Sequence, residues 1–276
     1  MKKIFLASFV LVTSFCFAQT PGTKVDFKQG QKIIVQTTTK LSSAASVMGQ
    51  EVESTADTYT EDLLEVVSVA KNNNIVTKTL KKMKLNANAM GQETKYDSEK
   101  PEDKTSQVGE SLGKLLNKPQ EYTLNDEGII SKVPAEENNQ SSNMMMGNAG
   151  INNEVVDGEL CYRIINRKIG STWTDSITKE GLKTVSNYIV KSIENNIATV
   201  EVKGTTTGTT TIEQMGQEMT MTANNTLTGL ILIDITTGLK KSTIINIAGN
   251  SSIDAMGMSI PVTIKSTTTV EYILQN

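Results

Sequence analysis

The chain has 276 residues, with 27 Lys and Arg against 30 Asp and Glu, no His and two Cys. That length supplies a sizeable core for one large or two small domains. Without imidazole there is no His-based triad and no His-ligated zinc, and a slightly acidic chain lacking a basic cluster argues against a nucleic-acid partner.

Residues 1–18 read as a signal peptide. Lys2 and Lys3 open it, an apolar run follows, and Cys16-Phe17-Ala18 places small residues at the −3 and −1 positions of a cut after Ala18. The run is too short for an ordinary transmembrane span. The expectation is an exported protein of the periplasm or the extracellular space. Phe5, Phe9, Phe15 and Phe17 leave with the signal, so few aromatic platforms for sugar remain: Phe27, Trp173 and six Tyr. Loss of Cys16 leaves Cys161 without a disulfide partner; it sits in an apolar run with no base to activate it and reads as an inert buried thiol.

Residues 19–133 form the first of two expected β-rich halves. Over the whole chain Thr is the dominant residue and Val and Ile are common, as strands require. Lys71-Asn-Asn-Asn74 and Asn125-Asp-Glu-Gly128 are turn signals. The tetrapeptide Met-Gly-Gln-Glu occurs at 48–51, 90–93 and 215–218, and Met256-Gly257-Met258 is a relative. Gly supplies the positive φ of a tight hairpin, so all four are expected to be hairpin tips. From Glu102 to Leu116 the pattern changes. Val108, Leu112, Leu115 and Leu116 recur at helical spacing and predict one short helix near 103–117, with Asp103 as its N-cap. Asp57, Glu61, Asp62 and Glu65 read as a solvated face with no catalytic pair among them. Ser98-Glu-Lys100 has Ser-x-Lys spacing, but in a loop-like stretch beside Pro101.

Residues 134–160 are polar and poor in bulky aliphatics, and read as a linker. They contain Met144-Met145-Met146. With Met219, Met221, Met256 and Met258 these thioethers suit Cu(I) chemistry, although alternate strand residues are also plain packing neighbours.

Residues 161–276 form the second half. Trp173 follows Gly170 at a strand start, as a core anchor or a cavity-wall ring. Asp175-Ser176-Ile177 matches the Asp-Ser/Thr-aliphatic pattern that some Gram-negative exporters glycosylate on the hydroxyl. Thr205 to Asn225 carries Thr on both parities, which suits a projecting ribbon or a sheet edge. Leu227 to Ile235 is apolar on both parities, which predicts a strand covered on both sides. Turns follow at Glu194-Asn-Asn196 and Thr236-Thr-Gly238. Ile260, Val262, Ile264, Val270, Tyr272 and Leu274 share one parity of the last segment, with polar residues on the other.

The halves share an order of features. Lys28-Gln-Gly-Gln-Lys-Ile33 parallels Lys168-Ile-Gly-Ser-Thr-Trp173. Val67 to Ile75 parallels Val190 to Ile197, and Tyr122 to Lys132 parallels Ile231 to Lys241. Glu102 to Leu116 is the clearest insertion. The expected fold is therefore mainly all-β: two related, curved antiparallel sheet halves.

Gly170-Ser-Thr-Trp173, Glu121-Tyr-Thr-Leu-Asn-Asp-Glu-Gly128 and Asp97-Ser-Glu-Lys-Pro101 together resemble an uncharacterised family of exported bacterial proteins, defined only as a domain of unknown function. The resemblance spans most of residues 25–275 and implies no activity. At a coarser level a long curved sheet with an inserted helix is similar to periplasmic lipoprotein and lipid carriers, whose unclosed β-barrel holds acyl chains on an aliphatic surface.

The expected function is non-catalytic binding of an apolar or amphiphilic partner, a lipid or a lipidated protein. Leu227, Leu230, Leu232, Ile233, Ile245, Ile247 and Trp173 are the candidate lining. An envelope interaction protein that pairs through exposed hairpins is the alternative, and a Met-rich metal binder or an enzyme the third class. No glycine-rich phosphate loop or calcium-loop spacing occurs, so no cofactor is expected.

Overall fold

In the computed structural model the described residues are 27–47, 49–70, 74–89, 91–124, 130–132, 168–179, 181–214, 217–255 and 258–275. The signal peptide, the whole of the expected linker with Met144-Met145-Met146, and Cys161 lie outside them.

Twelve strands form one antiparallel sheet. They are β1 (Lys32–Val47), β2 (Gln50–Ser68), β3 (Asn74–Ala89), β4 (Gln92–Asp97), β5 (Pro119–Leu124), β6 (Ile130–Lys132), β7 (Thr172–Lys179), β8 (Leu182–Glu194), β9 (Ile197–Gln214), β10 (Gln217–Asp234), β11 (Lys240–Ala255) and β12 (Met258–Gln275). Their spatial order is β6-β5-β3-β2-β1-β12-β11-β10-β9-β8-β7, with β4 also on β3. The first and last strands thus meet at the centre, Lys32 opposite Gln275 and Ala45 opposite Val262. Among the described residues the two ends of the path do not pair, and the sheet is not closed into a barrel.

Two-residue hairpins link the strands where the repeated motif falls. Val47 pairs with Gln50, Ala89 with Gln92, Gln214 with Gln217, and Ala255 with Met258. Gly49 and Gly91 have φ of 81° and 78°, the left-handed region such turns demand. The turn between β8 and β9 uses Asn195 and Asn196, both at positive φ.

The halves are structural repeats. Gly30 N–H donates to Val66 O, Gln31 N–H to Lys28 O, and Val66 N–H to Gln31 O; Gly170, Ser171 and Val190 make the same three bonds with Val190, Lys168 and Ser171. The ladder slips between Val66 and Ser68, and again between Val190 and Ser192. Val76 pairs with Tyr122 as Val200 pairs with Ile231. So β1, β2 and β3 correspond to β7, β8 and β9, and β4 plus β5 correspond to the single strand β10. The sequence offset that matched Val67 to Val190 is one residue out; Val66 is the equivalent position.

Residues 98–118 interrupt what is one strand in the other half. They form two short helices, α1 (Pro101–Lys104) and α2 (Gln107–Leu112), then a 3-10 turn at Gly113–Leu115. The single helix expected near 103–117 is broken at Ser106, whose extended backbone and side-chain oxygen cap α2 by accepting from Gly109 N–H. Asp103 is not the N-cap; its carboxylate accepts from Asp97 N–H instead. A Cβ at Gly109 would lie 1.9 Å from Asp103 O, so only Gly lets the two helices approach. The insertion buries Leu112, with Val108, Leu115 and Leu116, against Met83, Leu85 and Tyr96.

One face of the sheet is buried and the other wet. The buried, inner face carries Ile33, Val35, Leu64, Val66, Val76, Tyr122, Leu124 and Val270 in one cluster, and Val190, Ala198, Val200, Val202, Ile231 and Ile233 in a second. Both clusters lie toward the end of the sheet away from the Met-Gly tips. No helix among the described residues is long and apolar enough to cross a membrane.

Candidate functional site

Pairing registers assign each residue to a face, because cross-strand partners point the same way. A row toward the hairpin-tip end runs Ala56, Leu41, Ser266, Ile247, Leu227, Gly204, Ser186 from β2 to β8. The rows beyond it hold Ile264, then Val262, then Ile260 and Ile253. These aliphatics are half-buried, and none belongs to the two clusters except Leu227, which touches the second. The result is an aliphatic inner surface interleaved with Ala, Ser, Thr and Gly. Small residues keep the face low: a Cβ at Gly229, on the same face, would lie 2.2 Å from Ile244 O, so β10 and β11 crowd each other there.

The expected lining residues divide. Leu227, Ile233, Ile245, Ile247 and Trp173 are on the inner face. Leu230 and Leu232 are on the outer face, and Leu230 is 45% exposed. The run from Leu227 to Ile235 is therefore not covered on both sides; strand alternation sends every second apolar residue outward. Ile233 is fully buried core, and Leu227, Ile245 and Trp173 pack against the same cluster. Trp173 stacks on Tyr188 at 4.9 Å between centroids and 10° between planes. Of the expected lining on the inner face, Ile247 alone stands outside that packed core.

Polar atoms on the inner face were missed by sequence reasoning. Thr37 Oγ1, Asp62 Oδ1, Asn74 Oδ1, Tyr96 OH, Asn225 Oδ1, Thr243 Oγ1 and Ser251 Oγ are buried and find no hydrogen-bond partner among the described residues. Register puts all seven on the inner face. Such atoms are costly when unpaired in a dry interior. Asp62 is the sharpest case. It pairs across β1 with Val35, not with water, which corrects its reading as part of a solvated face. Burial raises its carboxyl above the usual range, opposed by the Lys78 ammonium 3.9 Å away.

The outer face is polar. Lys82 bridges Glu61 and Glu99, Lys84 bridges Asp97 and Glu99, and Gln36 and Tyr59 donate to Glu61. An open hollow of about 580 Å³ on this side is lined mainly by Lys40, Asp57, Thr55, Asn246, Lys265 and Thr267. It is too open to enclose an alkyl chain. A pocket of about 40 Å³ beneath Ile33, Leu239, Tyr272 and Leu274 has room only for water-sized molecules.

Other candidates resolve simply. Ser98 is buried and its Oγ accepts from Met83 N–H. Met219 and Met221 lie on the inner face of β10, and Met258 on that of β12. Thr205, Thr207, Thr209 and Thr211 are exposed on the outer face, within the sheet up to Gly208 and beyond the reach of β8 above it.

Residues 165–240 match a family of unknown function (DUF6263). The match includes Gly170-Ser-Thr-Trp173 and not the two other quoted motifs. No curated protein matches the chain. Among solved structures, lipovitellin, in a study titled for its lipid–protein interactions, is similar at 12% identity and a TM-score of 0.52. The alignment covers 91% of this chain and 26% of that one, so this chain spans about a quarter of that chain's length. An outer-membrane channel from Pseudomonas putida F1 aligns over 92% of this chain and 99% of its own, at 10% identity and a TM-score of 0.31. The lipovitellin likeness shows the fold alone, a broad antiparallel sheet.

Proposed function

We propose that the inner face binds an amphiphile, a lipid or the acyl chain of a lipidated protein, without catalysis, in the envelope to which residues 1–18 direct the chain. The observation that carries this reading is the composition of one face: half-buried Leu41, Ile247, Ile264 and Val262 beside buried polar atoms that find no partner among the described residues. An alkyl chain laid on the aliphatic rows gains about 25 cal/mol per Å² of covered surface. A ligand polar group reaching Thr37, Thr243 or Asp62 satisfies atoms that are otherwise desolvated at a loss. The likeness to lipovitellin, a protein described for its lipid–protein interactions, supports the reading by analogy of fold alone.

The test is titration of the purified chain with a fluorescent fatty-acyl probe. Ile247→Asp is expected to weaken binding about tenfold or more, since a charge replaces one aliphatic contact. Leu230→Asp, on the same sheet but facing outward, leaves affinity unchanged. Equal losses in both variants, or a wild-type chain that ignores the probe while folded, defeat the proposal.

A further inference from the structure

Three Asp-Ser/Thr dipeptides occur among the described residues: Asp57-Thr58, Asp97-Ser98 and Asp175-Ser176. The structure separates them. Thr58 and Ser98 are buried, and Ser98 is engaged by Met83 N–H. Their following residues are Tyr59 and Glu99. Ser176 alone precedes an aliphatic residue, and Ser176 alone is exposed. It sits in mid-strand on β7, on the outer face, at the end of the sheet path, where β8 is the only neighbour among the described residues.

Ile177 gives an independent observation. It is 68% exposed, the most solvent-accessible of the large aliphatics in the described part of the chain. Strand alternation turns it to the inner side of β7, across from Thr184, while the Ser176 hydroxyl before it points outward. A modifying enzyme that reads Asp-Ser-aliphatic needs that side chain accessible, and the fold presents it.

We propose that Ser176 is an O-glycosylation site, with Asp175 and Ile177 as the recognition residues on either side. Ser176 Oγ attacks the anomeric carbon of a lipid diphosphate-linked sugar. The carbon–oxygen bond to phosphate breaks, the lipid diphosphate leaves with the electron pair, and the hydroxyl proton passes to the transferase base. The inference depends on export and on access to both sides of β7, because Ser176 lies on the outer face while Asp175 and Ile177 lie on the inner one.

The experiment is mass spectrometry of the protein purified from the envelope of its own producing cells, with fragmentation that keeps sugar on the side chain. The tryptic peptide from Ile169 to Lys179 is expected to carry a glycosyl mass assigned to Ser176. Ser176→Ala and Asp175→Asn both lose it, while Ser176→Thr keeps it. Circular dichroism shows all three variants folded. An unmodified peptide in the wild-type protein, a sugar on a neighbouring hydroxyl, or an Asp175→Asn variant that remains glycosylated each overturns the assignment.

Discussion

Asp62 and Lys78 face each other across β2 and β3 with both side chains nearly out of reach of solvent. At 3.9 Å they attract without forming a good hydrogen bond. Burial holds the Asp62 carboxyl above its unfolded value. In the window that opens near 3.8 and extends upward, the folded state binds more protons than the unfolded chain. Stability from this site therefore falls as pH rises through the window. Lys78→Met removes the cation that opposes the shift. It is expected to cost about 3–5 kcal/mol at neutral pH and less at acid pH, read from urea unfolding at both. Asp62→Leu with Lys78→Met together is expected to be neutral or stabilising. Asp234 has the opposite sign. Burial works to raise its carboxyl, but Thr236 Oγ1 and the N–H groups of Thr236 and Thr237 donate to it and hold it low. Its contribution is present above the unfolded carboxylate range and is lost as pH falls through the folded value. Asp234→Ala is expected to cost about 1–2 kcal/mol at neutral pH and less in acid, by the same unfolding measurement. Neither role was legible in the sequence. Asp62 lies among acids that do face water, and only the pairing register separates its face from that of Glu61.

At the scale of the element, turn chemistry and repetition were the legible part. Gly49 and Gly91 take the positive φ that the Met-Gly tips implied, and Glu194-Asn-Asn196 forms the tight turn expected of it. Asn195→Val places a β-branched residue at φ 50° and is expected to lower stability by about 1–2 kcal/mol in thermal unfolding. Asn196→Gly relieves the same backbone and is expected to raise it by a few tenths to about 1 kcal/mol. The insertion at 98–118 was also legible, as a break in the strand pattern, but its form was not. Helical spacing across Val108 to Leu116 cannot report that Gly109 packs onto Asp103 O, which is a contact between two helices. The apolar run at Leu227 misled for a related reason. Period-two alternation is invisible when both parities are apolar, so Leu230 and Leu232 looked like lining and are outer-face residues.

At the scale of the molecule, two related halves join edge to edge through β1 and β12, and one continuous inner face results. Equivalent positions then diverge across the repeat. Ile33 and Leu64 of the first half stand where Trp173 and Tyr188 stack in the second, and Asp62 stands where Ser186 does. The scaffold is repeated and the surface is not, which suits one asymmetric ligand laid across both halves. The choice of face was only half legible: the final strand alternates plainly, whereas the polar atoms of the inner face come from residues that look like ordinary strand Thr, Asn and Ser. The most direct measurement is photo-crosslinking with a diazirine-bearing fatty-acyl probe, read by peptide mapping. Adducts are expected on inner-face peptides at Leu41, Leu227 and Ile247. Adducts confined to outer-face positions such as Leu230 and Ile244, or scattered evenly over both faces, would contradict the account.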